Sequence, residues 1–480
     1  MIPGLGYLYS GLARRKNALH MLLMTFMALT VVSIQWVLFG YSITFSSTGG
    51  NFIGNLRNAV FRNTLGDPVT GANNKIPEIV YAIYEMMFAN LVPAIAIGAA
   101  CERARVWPFL VFTLVWTTFC YDFVAHAIWS STGWAYTWGV LDYAGGGPVE
   151  IVSGVTGTVI SYYLGKRKGY GTDALLFKPH NVSHIVLGTA FLWFGWFGFN
   201  GGSTFAANLR AGMSIATTNT AASTAAITWM VMDYRFERKW SVVGFCTGAI
   251  AGLVAITPAA GFIGVPASIL VGFMAALVSN LCTKLKVYAH CDDVMDIYAV
   301  HAVAGIVGLM LTGVFAQASV ANNDGYLEIP GGWLDGNFIQ VPKQMAWCAF
   351  AVCWTAATTY AIMFIIDHIP GIGPFRCSET AEVIGVDEEQ LGEWCYDYAY
   401  FNRDLEGNYD PEHGKKLSMM EHMDDHGGVP KEVDTADHAA NSREAAGGNK
   451  HANEQLEHQE NNSSSQNSET AAGDHEKVGV

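Results

Sequence analysis

The chain has 480 residues, 51% of them hydrophobic and only 14% charged, with a mean hydropathy of +0.24. Soluble domains carry about a quarter charged residues, so the composition argues against a soluble enzyme or a nucleic-acid binder and for a membrane transporter. The net charge of −14 does not imply a basic partner, because residues 411–480 alone hold 14 acidic and 6 basic side chains.

The first apolar stretch, residues 1–12, ends at Arg14, Arg15 and Lys16 and is half the length of a span. A bilayer core takes about 20 helical residues, which predicts either a truncated first helix or a stub that does not cross. Ten full apolar runs follow, at roughly 19–44, 78–101, 106–129, 148–165, 183–206, 213–233, 241–258, 262–283, 295–316 and 345–367. Residues 1–367 are therefore expected to form the membrane domain. Residues 368–410 are expected to dock on it through Phe375, Trp394, Tyr396, Tyr398 and Tyr400. Residues 411–480 hold too little apolar surface to offset the cost of ordering and are expected to be disordered.

Cytoplasmic loops collect Lys and Arg. The loops at 12–18, 102–105, 166–178, 235–239 and 284–286 hold 14 such residues, and the alternate loops five. This predicts a cytoplasmic C-terminus and leaves the Asn181-Val-Ser183 sequon on the inner side, unglycosylated. The nine cysteines lie on predicted helices or inner segments, which argues against a disulfide framework. No cofactor or metal site is indicated. Seven of 14 histidines fall in the terminal tail, where solvated polarity accounts for them better than metal binding.

One octet occurs twice, as Glu150-Ile-Val-Ser-Gly-Val-Thr-Gly157 and His301-Ala-Val-Ala-Gly-Ile-Val-Gly308, each with an aspartate eight residues earlier, Asp142 and Asp293. The second copy lies five apolar segments on from the first, so it enters the membrane from the opposite side. That is the mark of an inverted repeat, whose interface near the midplane is the usual place for a transport site; the alternative is chance, since Gly-rich apolar octets are common in membrane helices. Glu150 and His301 are ionisable groups inside apolar helices, where such groups are costly and functional. If both reach the midplane they can share a proton; the alternative is a buried histidine satisfied by a backbone carbonyl.

The other candidates carry two readings each. Trp129 can hold a small cation against its ring or sit at headgroup level as part of an aromatic belt. Phe88 and Phe199 read as packing residues. Ser203 shares a helix face with Phe199 and offers a hydroxyl to a solute or to its own backbone. Asp142, Asp293 and Asp296 precede helices and read as caps. Glu85, Asp122 and His126 are further intramembrane ionisable residues, the last two spaced to satisfy each other.

With these residues assembled, the chain from Met1 to about Tyr398 resembles ammonium transporters of the Amt/Mep/Rh superfamily, most nearly the fungal methylammonium permease branch. The phrases that carry the resemblance are Met1-Ile-Pro-Gly with Gly11-Leu-Ala-Arg-Arg-Lys-Asn17, Met87-Phe-Ala with Gly98-Ala-Ala-Cys-Glu-Arg103, and Ala125-His-Ala-Ile-Trp129. Leu141-Asp-Tyr-Ala-Gly-Gly146, Gly195-Trp-Phe-Gly-Phe-Asn-Gly-Gly-Ser203, and Asp292-Asp-Val-Met-Asp with the His301 octet complete the set. The resemblance implies an all-α, eleven-helix fold with a five-plus-five inverted repeat, a plasma-membrane homotrimer and one pore per protomer, taking up ammonium or methylammonium. It implies that Trp129 and Ser203 recruit the cation, that Asp142 supplies a favourable field, and that Phe88 and Phe199 form a stacked gate above a proton relay at Glu150 and His301. An ammonium sensor signalling through its tail and a passive channel for neutral ammonia are the alternatives. A kinase or regulator acting on the tail is a further expected partner.

Four departures stand out. The first helix is short, Glu150 replaces the usual first pore histidine, Glu85 stands where a glutamine is common, and Glu389 stands where plant relatives carry a phosphorylatable threonine.

Overall fold

Helix follows helix along the chain because each apolar run must satisfy its own backbone hydrogen bonds in a medium that offers none. The computed structural model describes residues 1–396 except 70, 71, 73, 173–177 and 290, so the expectations for Tyr398, Tyr400 and the terminal tail lie outside the described residues. Eleven principal helices are present among the described residues: α1 (Ile2–Leu12), α2 (18–45), α3 (78–100), α4 (106–129), α5 (146–164), α6 (Val182–Gly202), α7 (Leu209–Glu237), α8 (Val242–Ile256), α9 (Val265–Cys282), α10 (298–315) and α11 (Gln340–Asp367). Each lies within a few residues of its expected place.

Seven helical segments are long and apolar enough to cross a bilayer by length and composition alone, which is fewer than the ten expected. The difference is physical. Helix α8 has 15 residues, α5 is diluted by Glu150 and by Gly, Ser and Thr along its length, and α7 is diluted by threonines whose hydroxyls turn back onto carbonyls one turn earlier, as Thr224 does to Thr220 and Thr228 to Thr224. Helix α1 packs on α2 and α6. The side chains turned outward are those lipid tolerates, among them Ile34, Phe119, Phe194 and Ile365.

The repeat is visible in the backbone. Helices α5 and α10 both open with a widened π turn, Gly146–Ile151 in one and Tyr298–Val303 in the other, a feature frequent at functional sites. Both openings are held by the aspartates of the repeat. Asp142 accepts from the backbone N–H groups of Gly145, Gly146 and Gly147, and Asp293 accepts from that of Tyr298. The two helices cross at equivalent glycines: a Cβ on Gly154 would lie 2.2 Å from the backbone nitrogen of Ala302, and one on Gly305 would lie 3.0 Å from Cβ of Glu150.

On the face that carries the Lys- and Arg-rich loops, five charged side chains close a buried network. Arg14 and Arg167 both reach Glu102, and Arg167 and Arg103 both reach Asp292, at 2.8 to 2.9 Å. Burial alone would raise the Glu102 carboxyl, but the two guanidinium groups outweigh it and hold that carboxyl well below the ordinary range.

The segment after α11 is fastened to the same face. Asp387 accepts from the first backbone N–H groups of α2, at Leu19 and His20, and Gln390 accepts from that of Val106 at the start of α4. Arg376 donates to the carbonyl of Leu164 at the end of α5. Of the aromatic residues expected to dock, Phe375 is fully buried against Phe109 and Phe112. Tyr396 stacks on His184 and hydrogen-bonds Asn181, while the Trp394 ring is 46% exposed. The Asn181 side chain is thus committed to Tyr396 and to capping α6.

Candidate functional site

Helix α3 positions Phe88 and α6 positions Phe199, and their rings stack with centroids 4.1 Å apart and planes 29° off parallel. Both are almost fully buried. Helix α4 ends at Trp129, whose indole meets Phe88 edge to face at 5.6 Å and donates to the carbonyl of Asp142 at 3.2 Å. Trp129 is partly exposed. The start of α5 passes close beneath this ring, since a Cβ on Gly145 would lie 3.1 Å from it.

Ser203 sits just past the end of α6. Its hydroxyl donates to the carbonyl of Phe199 at 2.8 Å and lies 3.2 Å from the hydroxyl of Tyr84. Both uses expected of this serine therefore remain in play: it is anchored to backbone, and its oxygen keeps room to accept. Asp142 is committed more completely. Its two carboxylate oxygens take three backbone N–H groups and the indole N–H of Trp347, so it touches the Trp129 region through its own carbonyl and otherwise holds the start of α5.

Two residues that the sequence does not single out complete the aromatic group. Tyr84 meets Phe88 at 5.1 Å and donates to the carbonyl of Phe199 at 2.7 Å, tying α3 to α6. Phe205 packs against Tyr84 at 5.5 Å and Tyr81 at 4.9 Å. The position of Tyr84, four residues before Phe88 on the same helix face, is the one signal that could have found it. Phe205 carries none, because it lies in the irregular segment after α6.

Where α5 and α10 cross, Glu150 and His301 meet: Oε2 of Glu150 lies 2.8 Å from Nδ1 of His301, across 151 residues of chain. Glu150 is sealed from solvent and His301 nearly so, and Oε1 of Glu150 has no hydrogen-bond partner. With the carboxylate ionised, this contact places the imidazole proton on Nδ1 and leaves Nε2 as the basic nitrogen. Such a pair can pass a proton between two positions without moving backbone.

Asp122 and His126 do not satisfy each other. Asp122 accepts from Gln35 of α2 at 2.7 Å, and both ring nitrogens of His126 face backbone carbonyls, of Thr44 at 2.7 Å and Gly50 at 2.8 Å. Partners on α2 and the loop after it outcompete the neighbour one turn away. Glu85 is buried on α3.

Eleven helices, most of them apolar, with a stacked phenyl pair between two of them and a buried carboxyl–imidazole contact where two others cross, make up a membrane protein of the transporter class. The sequence comparisons agree with this class: the model of the Ammonium Transporter Family matches residues 1–396. The chain belongs to that family. It is 45% identical over 399 residues to Ammonium transporter 1 of Schizosaccharomyces pombe, covering 83% of this chain and 80% of that protein. It is 47% identical over 408 residues to Ammonium transporter MEP1 of Saccharomyces cerevisiae, covering 84% and 82%. Among solved structures, Candida albicans Mep2 superposes with a TM-score of 0.76 at 40% identity, covering 87% of this chain and 90% of that one. Saccharomyces cerevisiae Mep2 gives 0.74 at 43% identity, covering 78% and 84%.

Proposed function

We propose that this chain takes ammonium, and methylammonium as its analogue, across the plasma membrane by removing a proton before the dry part of the path and returning it beyond. Ammonium and potassium are similar in size and equal in charge, so a site that reads charge alone cannot separate them. Deprotonation can, because potassium has no proton to give. A full charge at the centre of a bilayer costs at least about 2.5 to 3.5 kcal/mol, whereas neutral ammonia crosses apolar surroundings readily.

The path would start at Trp129, whose ring face suits a cation, with the oxygen of Ser203 beside it. Ammonia would then pass the Phe88 and Phe199 rings and run beside Glu150 and His301, which relay the proton so that net charge moves inward. The observation that carries this reading is the Glu150 to His301 contact, sealed from solvent at a helix crossing. A homotrimer with a cytoplasmic C-terminus is part of the same proposal.

The test is growth of yeast lacking its own ammonium transporters on millimolar ammonium, together with ammonium-evoked current on solid-supported membranes. Growth with current supports the reading. Growth without current points to a passive channel for neutral ammonia. Replacing Trp129 by Leu is expected to raise the half-saturation for ammonium about 2- to 30-fold, the equivalent of ~0.5 to 2 kcal/mol of cation–π attraction. An unaltered half-saturation removes Trp129 from the recruitment site.

A second reading, in which the protein also signals ammonium status, draws on the fastened segment after α11. It caps α2 and α4 and holds the end of α5, the last two being the helices of Trp129 and Glu150. A transported solute that shifts those helices would thereby shift the segment too. Replacing Asp387 by Ala removes the cap on α2; a variant that still transports, in cells that no longer respond to ammonium, supports this role.

A further inference from the structure

We propose that Glu85 is the base that accepts the proton from ammonium at the outer side of the Phe88 and Phe199 gate. This rests on the transport reading above and supplies the step it leaves unassigned, namely which group takes the proton first.

Glu85 is 4% exposed, and its Oε2 is sealed from solvent without a hydrogen-bond partner. Other buried carboxylates of the molecule are held: Asp122 by Gln35, Asp142 by four donors, Glu102 by two arginines, Asp324 by Arg210 and Glu150 by His301. A carboxyl left open in such a setting is expensive to keep and is retained where a transient partner visits.

Its place fits that partner. Glu85 precedes Phe88 by three residues on α3, on the same helix face and displaced by about 4.5 Å toward the helix start. The start of α3 follows the long loop 45–77, on the same side as Trp129, so the carboxyl stands at the level of the entrance, before the stacked rings. The other entrance groups cannot serve as the base. Trp129 and Ser203 offer no basic atom, and the oxygens of Asp142 are filled by the donors that hold α5. The hydroxyl of Tyr84, the residue before Glu85, is committed to Ser203 and to the carbonyl of Phe199.

In the step proposed, one N–H bond of ammonium breaks, its electron pair stays on nitrogen, and the proton forms an O–H bond on Glu85. Charge is conserved: a cation and a carboxylate become two neutral species, so the entrance can hold both in apolar surroundings. Ammonia then moves past the rings, and Glu85 is reset when its proton is passed on to the Glu150 and His301 pair. The titratable groups on the helices packed against this part of α3 are Tyr41 of α2, which donates to Glu78, and Tyr121 and Asp122 of α4, with Tyr81 and Tyr84 on α3 itself. Phenols ordinarily titrate near pH 10, above the range of the experiment, so the contribution of Glu85 is read from the difference between wild type and Glu85→Gln.

The experiment uses the full chain in proteoliposomes on solid-supported membranes, comparing wild type, Glu85→Gln and Glu85→Asp with ammonium chloride as the probe over a range of external pH. Glu85→Gln, at wild-type level in the membrane, is expected to lower the ammonium-evoked current at least tenfold and to flatten its fall toward acid pH. Glu85→Asp is expected to recover part of the current and the acid limb. Wild-type current and pH profile in Glu85→Gln, or equal loss in both variants, overturns the assignment. If instead the wild-type chain gives no ammonium current, the transport reading fails first and Glu85 with it.

Discussion

Replacing Glu150 by Gln lowers ammonium-evoked current about a hundredfold, or opens the path to potassium, as the expected result. An amide keeps the shape and can still hydrogen-bond Nδ1 of His301, so packing at the crossing survives. What it cannot do is hold a proton and give it up, and a positioned acid or base contributes about a hundredfold or more to proton transfer. The discriminating measurement is current against both ions on the same vesicles. Flux and selectivity equal to wild type would reduce Glu150 to a packing residue. Histidine at the same position is the informative companion, since it replaces a carboxyl and imidazole pair with two imidazoles and should shift the pH dependence of transport rather than abolish it.

The second large effect is structural. Gly154→Val places a branched side chain where a single Cβ would already lie 2.2 Å from the backbone nitrogen of Ala302. Backbone cannot swing aside as a flexible side chain can, so α5 and α10 must separate, and overpacking of a dry core costs about 1 to 3 kcal/mol or more. Because this crossing also sets the Glu150 to His301 distance, the variant is expected to lose transport even where it still inserts. Thermal unfolding in detergent gives the stability term, and uptake gives the functional one. Gly212→Ala is the control, for nothing lies within 4 Å of its would-be Cβ and a helical Gly→Ala change is worth about 0.5 to 1 kcal/mol in the stabilising direction. If Gly154→Val unfolds no earlier than that control, the close approach carries no energetic weight.

Residues whose roles are local are legible in the amino-acid order alone. The caps are the plainest case: Asp142 and Asp293 stand just before helices and hold them, as a carboxylate there must. The same local logic misjudges Asp122 and His126, whose spacing of four permits a contact that partners on other elements preempt. It also leaves Phe88 and Phe199 as packing residues, and only the family resemblance makes a gate of them. Their stacking depends on how α3 and α6 approach, and 111 positions of sequence carry no record of that. Tyr84 escapes local logic because its hydroxyl acts on the carbonyl of a distant helix.

The amino-acid order by itself determined where the membrane helices run, because an apolar stretch of a given length has one way to bury its backbone polar groups in lipid. It also determined that two opposed segments carry matched ionisable residues, since a repeated octet is a property of the string. Only the tertiary structure decided that Oε2 of Glu150 comes to Nδ1 of His301, that the two phenyl rings stack, and that Asp387 and Gln390 return to cap α2 and α4. Each of those contacts joins positions far apart in the chain, and the first depends on the glycine-sized gaps at Gly154 and Gly305, a matter of how surfaces fit rather than of which residues follow which.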